Sequence, residues 1–125
     1  MPLDYNNIVT PFYSEVEQEF APTQDWTAGG VDTLILYVRG RVGNGQAPLY
    51  VRLEDASKHA AMVVHSDAAA VTTTKWTQWR IPLSGFTGVN LARIKKLYLG
   101  VGDRTDPKAG GRGLLYLDDI GLAKP

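Results

Sequence analysis

The sequence contains no cysteine, so neither a disulfide nor a thiolate metal site can contribute to the structure. It contains two histidines, His59 and His65, which do not have the spacing of zinc ligands on a helix. It also lacks a Gly-x-Ser-x-Gly motif, which would mark a nucleophilic serine for acyl transfer. These absences argue against the common forms of metal-dependent and nucleophilic catalysis.

Long apolar runs and an excess of charge are also missing. No stretch is apolar over the length that a membrane-spanning helix needs. Thirteen basic residues balance thirteen acidic residues, so no overall field attracts nucleic acid or an anionic membrane. The short basic run from Arg93 to Lys96 is better explained as a solvated strand edge. We therefore expect no nucleic acid and no membrane among the partners.

Length and composition indicate one folded domain. The 125 residues are 44% hydrophobic and 21% charged, which is ordinary for a globular domain with its own core. The first residues, Met1-Pro2-Leu3-Asp4, do not resemble a signal peptide. We expect a single domain over residues 1–125, interpreted as a module of a longer protein.

Apolar and polar residues alternate along much of the chain, which is typical of half-buried β-strands. No window shows helical periodicity over three turns, and the best helical candidate, residues 66–71, is predicted to form one turn at most. The alternating runs are residues 14–20, 33–40, 49–54, 61–65, 76–83, 96–101 and 114–122.

About seven strands without intervening helices predict an all-β fold, an antiparallel β-sandwich of two facing sheets. Gly43-Asn44-Gly45 lies between the second and third runs and predicts a hairpin there. Trp79 and Phe86 fall in the inward phase of their run and are predicted to lie in the core.

Three segments resemble landmarks of jelly-roll carbohydrate-binding modules of the galactose-binding-domain-like superfamily. They are Gln24-Asp25-Trp26-Thr27 with residues 30–34, the aromatic run 76–86, and the closing run 115–122. The resemblance implies a non-catalytic jelly roll that binds a polysaccharide or oligosaccharide. It also implies a secreted or cell-surface protein in which the module lies beside neighbouring domains.

The resemblance further implies a structural calcium ion that joins the first and last strands. Calcium takes about six to eight oxygen ligands and accepts carboxylates beside carbonyls. Glu17 or Glu15 would supply the glutamate, the loop from Gly29 to Asp32 would supply further oxygens, and Asp119, with Asp118 as its neighbour, would supply the aspartate. The alternative is a solvated row of glutamates and an aspartate pair that only ends a strand.

If the apolar residues of each strand face inward, the alternate residues form an aromatic and cationic outer surface. Aromatic rings stack on the C–H faces of sugars, and guanidinium groups reach hydroxyl pairs or the carboxylate of an acidic sugar. The alternative is a set of ordinary cross-strand pairs on a solvated face. The predicted ligand-binding residues are Tyr37, Arg39, Tyr50, Arg52, Trp76, Arg80 and Tyr98.

Other functions remain open at this point. The glycine-rich loop from Asp103 to Gly113 could bind a ligand or merely connect two strands. A structural or adhesion module that packs against neighbouring domains or a protein partner is the main alternative to glycan binding. A hydrolase would need facing carboxylates in a deep cleft, and a sandwich of this size offers little depth, so we expect no enzyme activity.

Overall fold

Two four-stranded antiparallel sheets face each other in the computed structural model, which describes residues 2–6, 13–44, 48–66, 68–102 and 112–123. Sheet A has the strand order β1-β8-β3-β6, and sheet B has the order β2-β7-β4-β5. The predicted all-β antiparallel sandwich is confirmed. The strands are β1 (Pro2–Asn6), β2 (Tyr13–Gln24), β3 (Thr33–Arg39), β4 (Leu49–Asp55), β5 (Ala60–Val64), β6 (Thr77–Pro82), β7 (Ile94–Gly102) and β8 (Arg112–Ala123).

Helical structure in these described ranges is limited to short 3-10 turns, one of which, Ala68–Thr72, lies where a single turn was predicted. No helix among the described residues has the length and apolar character to cross a membrane.

The strands pair in a nested order. β4 pairs with β5, β3 with β6, β2 with β7 and β1 with β8. Successive nested pairs alternate between sheet B and sheet A. The chain therefore crosses between the layers repeatedly, and both β1 and β8 lie in sheet A.

The core lies between the sheets and is built from the inward residues of each alternating run. Leu34, Leu36 and Val38 of β3 are buried in it, as the alternation predicts. Phe86 is buried and Trp79 packs partly buried against the core, which confirms both predictions. The core residues are Trp26, Leu34, Leu36, Val38, Leu49, Val51, Leu53, Val71, Ile81, Leu83, Phe86, Ile94, Leu97, Leu99, Val101, Leu115 and Leu117.

The predicted hairpin around Gly43 is wrong. β3 pairs with β6 and β8 in sheet A, whereas β4 pairs with β5 and β7 in sheet B, so the chain changes layer between them. Gly40 is needed for close approach, because a Cβ there would overlap the carbonyl group of Val71. The Asn44 side chain donates to the same carbonyl oxygen at 2.7 Å. Gly40 and Asn44 thus serve the contact with Val71, and the turn from Arg41 to Asn44, closed by an Asn44 N–H to Arg41 carbonyl bond of 3.1 Å, does not join two paired strands.

Two further features differ from the prediction. β1 was not predicted, because its five residues include a proline and lack a clear alternation. The basic run 93–96 leads into β7, which is a central strand between β2 and β4, and not an edge. Its lysines are tolerated there because Lys95 and Lys96 pair with glutamates of β2.

Candidate functional site

The outward residues of β2, β7 and β4 form rows across sheet B, which we call the sheet B face. They alternate with residues of the same strands that line the core, so they project to the opposite side. The cross-strand register brings residues that are far apart in the chain side by side. The rows are Glu15–Gly100–Tyr50, Glu17–Tyr98–Arg52 and Glu19–Lys96–Glu54.

Tyr50 lies flat against the neighbouring strand β7. It can do so because the residue beside it is Gly100, where an added Cβ would overlap the tyrosine ring. The Tyr50 hydroxyl donates to the Glu15 carboxylate on β2, and the residue is 0% exposed. The ring therefore acts as a rigid support that fixes the position of the Glu15 carboxylate.

A second tyrosine–glutamate pair lies one row away. The Tyr98 hydroxyl is hydrogen-bonded to Glu17, and the Lys96 Nζ lies 3.0 Å from Glu17 Oε1. The hydrogen bond from Lys96, together with the one from Tyr98, holds the pKa of Glu17 below its ordinary value. The bond to Glu17 raises the pKa of Lys96, and burial raises the pKa of Tyr98. At neutral pH the row thus carries an ionised carboxylate, an ammonium group and a neutral phenol.

Arg52 completes the same row. Its guanidinium carbon lies 4.9 Å from the centre of the Tyr98 ring, and its Nη1 lies 3.6 Å from Glu54 Oε1. The Arg52 and Glu54 side chains keep 19% and 18% of their exposure. The sheet B face therefore presents fixed, accessible carboxylates beside fixed cationic donors, an arrangement that matches the donor and acceptor pairs of sugar hydroxyls.

The prediction that Tyr50 and Tyr98 are exposed for stacking is wrong. Tyr50 is 0% and Tyr98 8% exposed, because one ring lies over Gly100 and the other lies beneath Arg52. An alternating pattern predicts the side of a sheet to which a residue projects. It does not predict whether the side chain extends into solvent or packs flat against the sheet.

The other predicted binding residues lie on the opposite side of the sandwich, on the outer face of sheet A. Tyr37 accepts a hydrogen bond from Gln78 Nε2 at 3.0 Å, and the Arg39 guanidinium lies 5.4 Å from the Tyr116 ring centre. Arg80 projects from β6 beside them, and Trp76, just before β6, is 46% exposed. The seven residues therefore form two surfaces and not one platform. Whether they bind a ligand stays a prediction.

The five acids predicted to bind calcium belong to different parts of the sandwich. Glu15 and Glu17 project from sheet B, where they already accept hydrogen bonds from protein groups. Asp118 is paired with Tyr37 in the register of sheet A, and the next residue, Asp119, belongs to the same strand. Asp32 lies before β3 and accepts from the Thr33 hydroxyl.

Among the side chains that the structure describes, no group of three or more potential ligands comes together. Calcium itself stays a prediction without an assigned set of ligands. The loop predicted as a further candidate, 103–113, lies outside the described residues except for its last two positions.

Asp55 is a buried carboxylate that the sequence did not single out. It accepts from the backbone N–H groups of Ser57, His59 and Asn90 at 2.8–3.0 Å, and His59 Nδ1 lies 3.4 Å away. The hydrogen bond from Asn90 is the main cause that lowers the pKa of Asp55, with those from His59 and Ser57 acting in the same direction. With its lone pairs occupied in this way, Asp55 has a structural role.

An apolar slot opens between the sheets beside β2 and the second half of β8. Its volume is about 490 Å³. It exists because β1 covers β8 only as far as Tyr116 among the described pairs. Ile120 and Leu122 line the slot, and they remain 41% and 37% exposed. Trp26, Phe20 and Leu97 are among the residues that form the inner walls.

No protein-family model matches the sequence, and no curated protein matches it. Solved structures are similar in fold. A family 30 carbohydrate-binding module aligns with a TM-score of 0.66 at 13% identity, over 99% of this chain and 75% of that chain. A family 11 module from Clostridium thermocellum, solved with a β-1,3-1,4-mixed-linked tetrasaccharide, aligns with a TM-score of 0.64 at 13% identity, over 98% and 74%.

An agarase is similar over a smaller part of its own length. The TM-score is 0.64 at 15% identity, over 92% of this chain but only 20% of the agarase. This chain thus spans about three quarters of the two modules and one fifth of the enzyme. The fold is that of the jelly-roll carbohydrate-binding modules, as the sequence resemblance predicted. Membership of the galactose-binding-domain-like superfamily stays a prediction.

Proposed function

We propose that this chain is a non-catalytic carbohydrate-binding module that binds a polysaccharide on the sheet B face. The observation that carries the proposal is the set of tyrosine–glutamate pairs on that face, Tyr50–Glu15 and Tyr98–Glu17, in a fold shared with carbohydrate-binding modules. The proposed role is to hold a parent protein at a polymer surface.

The pairs support binding because they fix acceptor oxygens before a ligand arrives. Each tyrosine hydroxyl orients its carboxylate, and carboxylate oxygens held in this way are suitable acceptors for sugar hydroxyls. Arg52 and Lys96 supply donors in the next positions of the same rows. Groups that are already ordered lose little conformational entropy on binding, which favours recognition of a hydrated ligand such as a sugar.

The described acids of this face favour a neutral polyhydroxylated ligand. Glu15, Glu17, Glu19 and Glu54 are four carboxylates against three cations, Arg52, Lys95 and Lys96, and an anionic chain would be repelled by the surplus. Stacking is not the main contribution here, since Tyr50 and Tyr98 expose almost none of their rings.

The proposal includes the setting that the resemblance implies, a secreted or cell-surface protein with further domains. The agarase, in which a similar fold makes up a fifth of the chain, supports a modular setting. Binding without catalysis is supported by the well-covered structural neighbours, which are carbohydrate-binding modules.

Affinity electrophoresis and calorimetry against neutral and acidic polysaccharides test the proposal. Glu17→Gln removes a charged acceptor that is 45% exposed, and we expect neutral-polymer affinity to fall by about tenfold or more, as for the loss of a charge-assisted hydrogen bond. Arg52→Gln should have an effect of similar size.

Lys58→Gln is the matched control, because this exposed residue lies in the β4–β5 turn outside the rows of the face. It should leave binding unchanged. If every neutral polysaccharide fails to bind, or if Glu17→Gln and Arg52→Gln bind as the wild type does, the proposed site is wrong.

The apolar slot favours a second candidate function, packing against a neighbouring domain or protein partner. Its rim residues Ile120 and Leu122 are exposed large hydrophobics two positions apart on β8, and such surface commonly marks a contact site. A module that acts only in this way would bury the slot and bind no glycan.

An environment-sensitive dye such as anilinonaphthalene sulfonate measures this second candidate. The isolated chain should bind the dye at the slot, and Ile120→Thr with Leu122→Thr should abolish the fluorescence. Lost dye binding together with full glycan binding in this double variant would separate the two functions.

A further inference from the structure

The outer face of sheet A differs from the sheet B face in its chemistry. The middle strand β3 presents Tyr37 and Arg39, and the edge strand β6 presents Gln78 and Arg80 beside them. Their neighbours in the chain, Leu36, Val38 and Ile81, are buried in the core, which fixes the outward direction of these side chains. We call this surface the sheet A face.

The charges of the two faces are arranged in opposite ways. On the sheet B face, Arg52, Lys95 and Lys96 each pair with a glutamate within 3.6 Å. On the sheet A face, neither Arg39 nor Arg80 forms an ion pair with any acidic side chain that the structure describes. Two exposed guanidinium groups without a described counter-charge have the donors that anionic groups require.

The spacing of these groups suits an extended ligand. Arg80 pairs in register with Ile35, and Arg39 lies four residues further along β3, which corresponds to roughly 13 Å. Tyr37 lies midway, with its hydroxyl held by Gln78. At the Arg39 end, the Tyr116 ring lies under the guanidinium, and Trp76 is exposed just before β6. Along the strand direction, guanidinium groups therefore alternate with half-buried or exposed aromatic rings.

We propose that the sheet A face is a second binding surface, specific for anionic polysaccharide. Arg39 and Arg80 would each bind a carboxylate or sulfate group of the chain, and the Tyr37 side chain would contact the sugar between them. An acidic polysaccharide is the occupant that fits best, because repeated anionic groups meet both arginines while the intervening rings meet the Tyr37 surface. This surface does not depend on the sheet B face, since the two lie on opposite sides of the sandwich.

The experiment is calorimetry of the full chain against a polyuronate, a sulfated polysaccharide and a neutral polymer, at low and high salt. We expect the wild type to bind at least one anionic polymer, and 0.5 M salt to weaken that binding strongly, because the screening length falls to a few ångströms. Arg39→Gln and Arg80→Gln should each weaken it by about two- to fivefold, and together multiplicatively, as expected for exposed ion pairs.

The arms of the panel separate the sources of the anionic group. If the protein binds the polyuronate more tightly, the arginines recognise carboxylate groups. If it binds the sulfated polymer more tightly, they recognise sulfate groups. Trp76→Ala reports whether the exposed ring takes part, and Arg93→Gln, the same charge change on an exposed 3-10 turn, should have no effect.

The proposal is overturned if no anionic polymer binds, if the Arg39→Gln/Arg80→Gln double variant keeps full affinity, or if only an acidic protein is bound. Arg52→Gln separates failure of the sheet A proposal from failure of the proposed function on the sheet B face. It should reduce binding of the neutral polymer and leave anionic binding intact, so each face succeeds or fails by itself.

Discussion

Asp55 connects two parts of the chain through a single carboxylate. One oxygen accepts from the N–H groups of Ser57 and His59 in the β4–β5 turn, and the other accepts from the N–H of Asn90, 35 residues away. The carboxylate therefore ties the β4–β5 turn to the segment that contains Asn90.

Asp55→Ala should destabilise the domain by about 2–4 kcal/mol, because several backbone N–H groups lose their acceptor at once. Asp55→Asn should cost less, since the amide oxygen still accepts one bond. Glu19→Gln, an exposed acid of sheet B, is the control and should change the free energy of unfolding by less than about 0.5 kcal/mol. Denaturant melts measure all three.

The lowered pKa of Asp55 also predicts the acid response. A carboxyl whose pKa is lower in the folded state stabilises fully above its unfolded pKa, about 3.9, and this contribution is lost as the pH falls through the lower folded value. Wild-type stability should therefore decline below about pH 4, and Asp55→Asn should decline less steeply there. Equal acid sensitivity of the two proteins would contradict this assignment.

Gly100 and Gly121 form a matched pair of glycines. A Cβ on Gly100 would overlap the Tyr50 ring, whereas a Cβ on Gly121 would meet nothing within 4 Å. Gly100→Ala should cost about 1–3 kcal/mol through overpacking and should weaken glycan binding by displacing the support of Glu15. Gly121→Ala should leave both properties unchanged, as thermal melts and calorimetry can show.

Sequence reasoning reaches only part of this residue-level picture. Alternation correctly places Leu36 in the core and Glu15 on an outer face, because it reflects the pleat of a single strand. It cannot show that Tyr50 lies over Gly100 or that Asp55 reaches Asn90, since those partners come from strands and turns 35 or more residues away.

Strands β2 and β7 are linked by pairs of oppositely charged side chains. Glu17 and Glu19 of β2 face Tyr98 and Lys96 of β7 in the register, and Lys96 and Lys95 reach across to the two glutamates. Opposite charges on adjacent strands stabilise the ladder modestly and explain why lysines are tolerated in the middle of sheet B.

NMR titration of Glu17 tests this ladder. The pKa of Glu17 should lie below 4.5 in the wild type and should rise toward that value in Lys96→Gln, because the largest cause of the shift is removed. Lys95→Gln removes the pair with Glu19 and should leave Glu17 as it was. A Glu17 pKa that does not respond to Lys96→Gln would contradict the assignment.

The strands themselves were largely predictable, whereas their sheet membership was not. Runs such as 33–40 and 49–54 were recognised by their alternation, but both carry the same pattern, so nothing local shows that one joins sheet A and the other sheet B. This is why Tyr37 and Tyr50 were assigned to one platform although they lie on opposite sides of the sandwich.

For the molecule as a whole, the predicted calcium ion is tested through its effect on thermal stability. A chelator should lower the melting temperature, and added calcium should restore it, if an ion joins two strands. An unchanged melt in both conditions would reject the ion. Glu15→Gln and Asp119→Asn then report which sheet holds it, because these residues belong to different layers.

The nested pairing of the strands has a consequence for biosynthesis. β4 and β5 can pair as soon as they are synthesised, whereas β2 cannot pair until β7 has been made. In sheet A, β1 and β3 are joined only through β8, the last strand of the chain, so this sheet stays incomplete until β8 has been synthesised. Closing such long loops costs chain entropy before any contact repays it, so refolding should be slow, on the order of milliseconds to seconds. A ribosome-bound chain that stops before residue 112 should remain protease-sensitive, and protection should develop only when β8 leaves the exit tunnel.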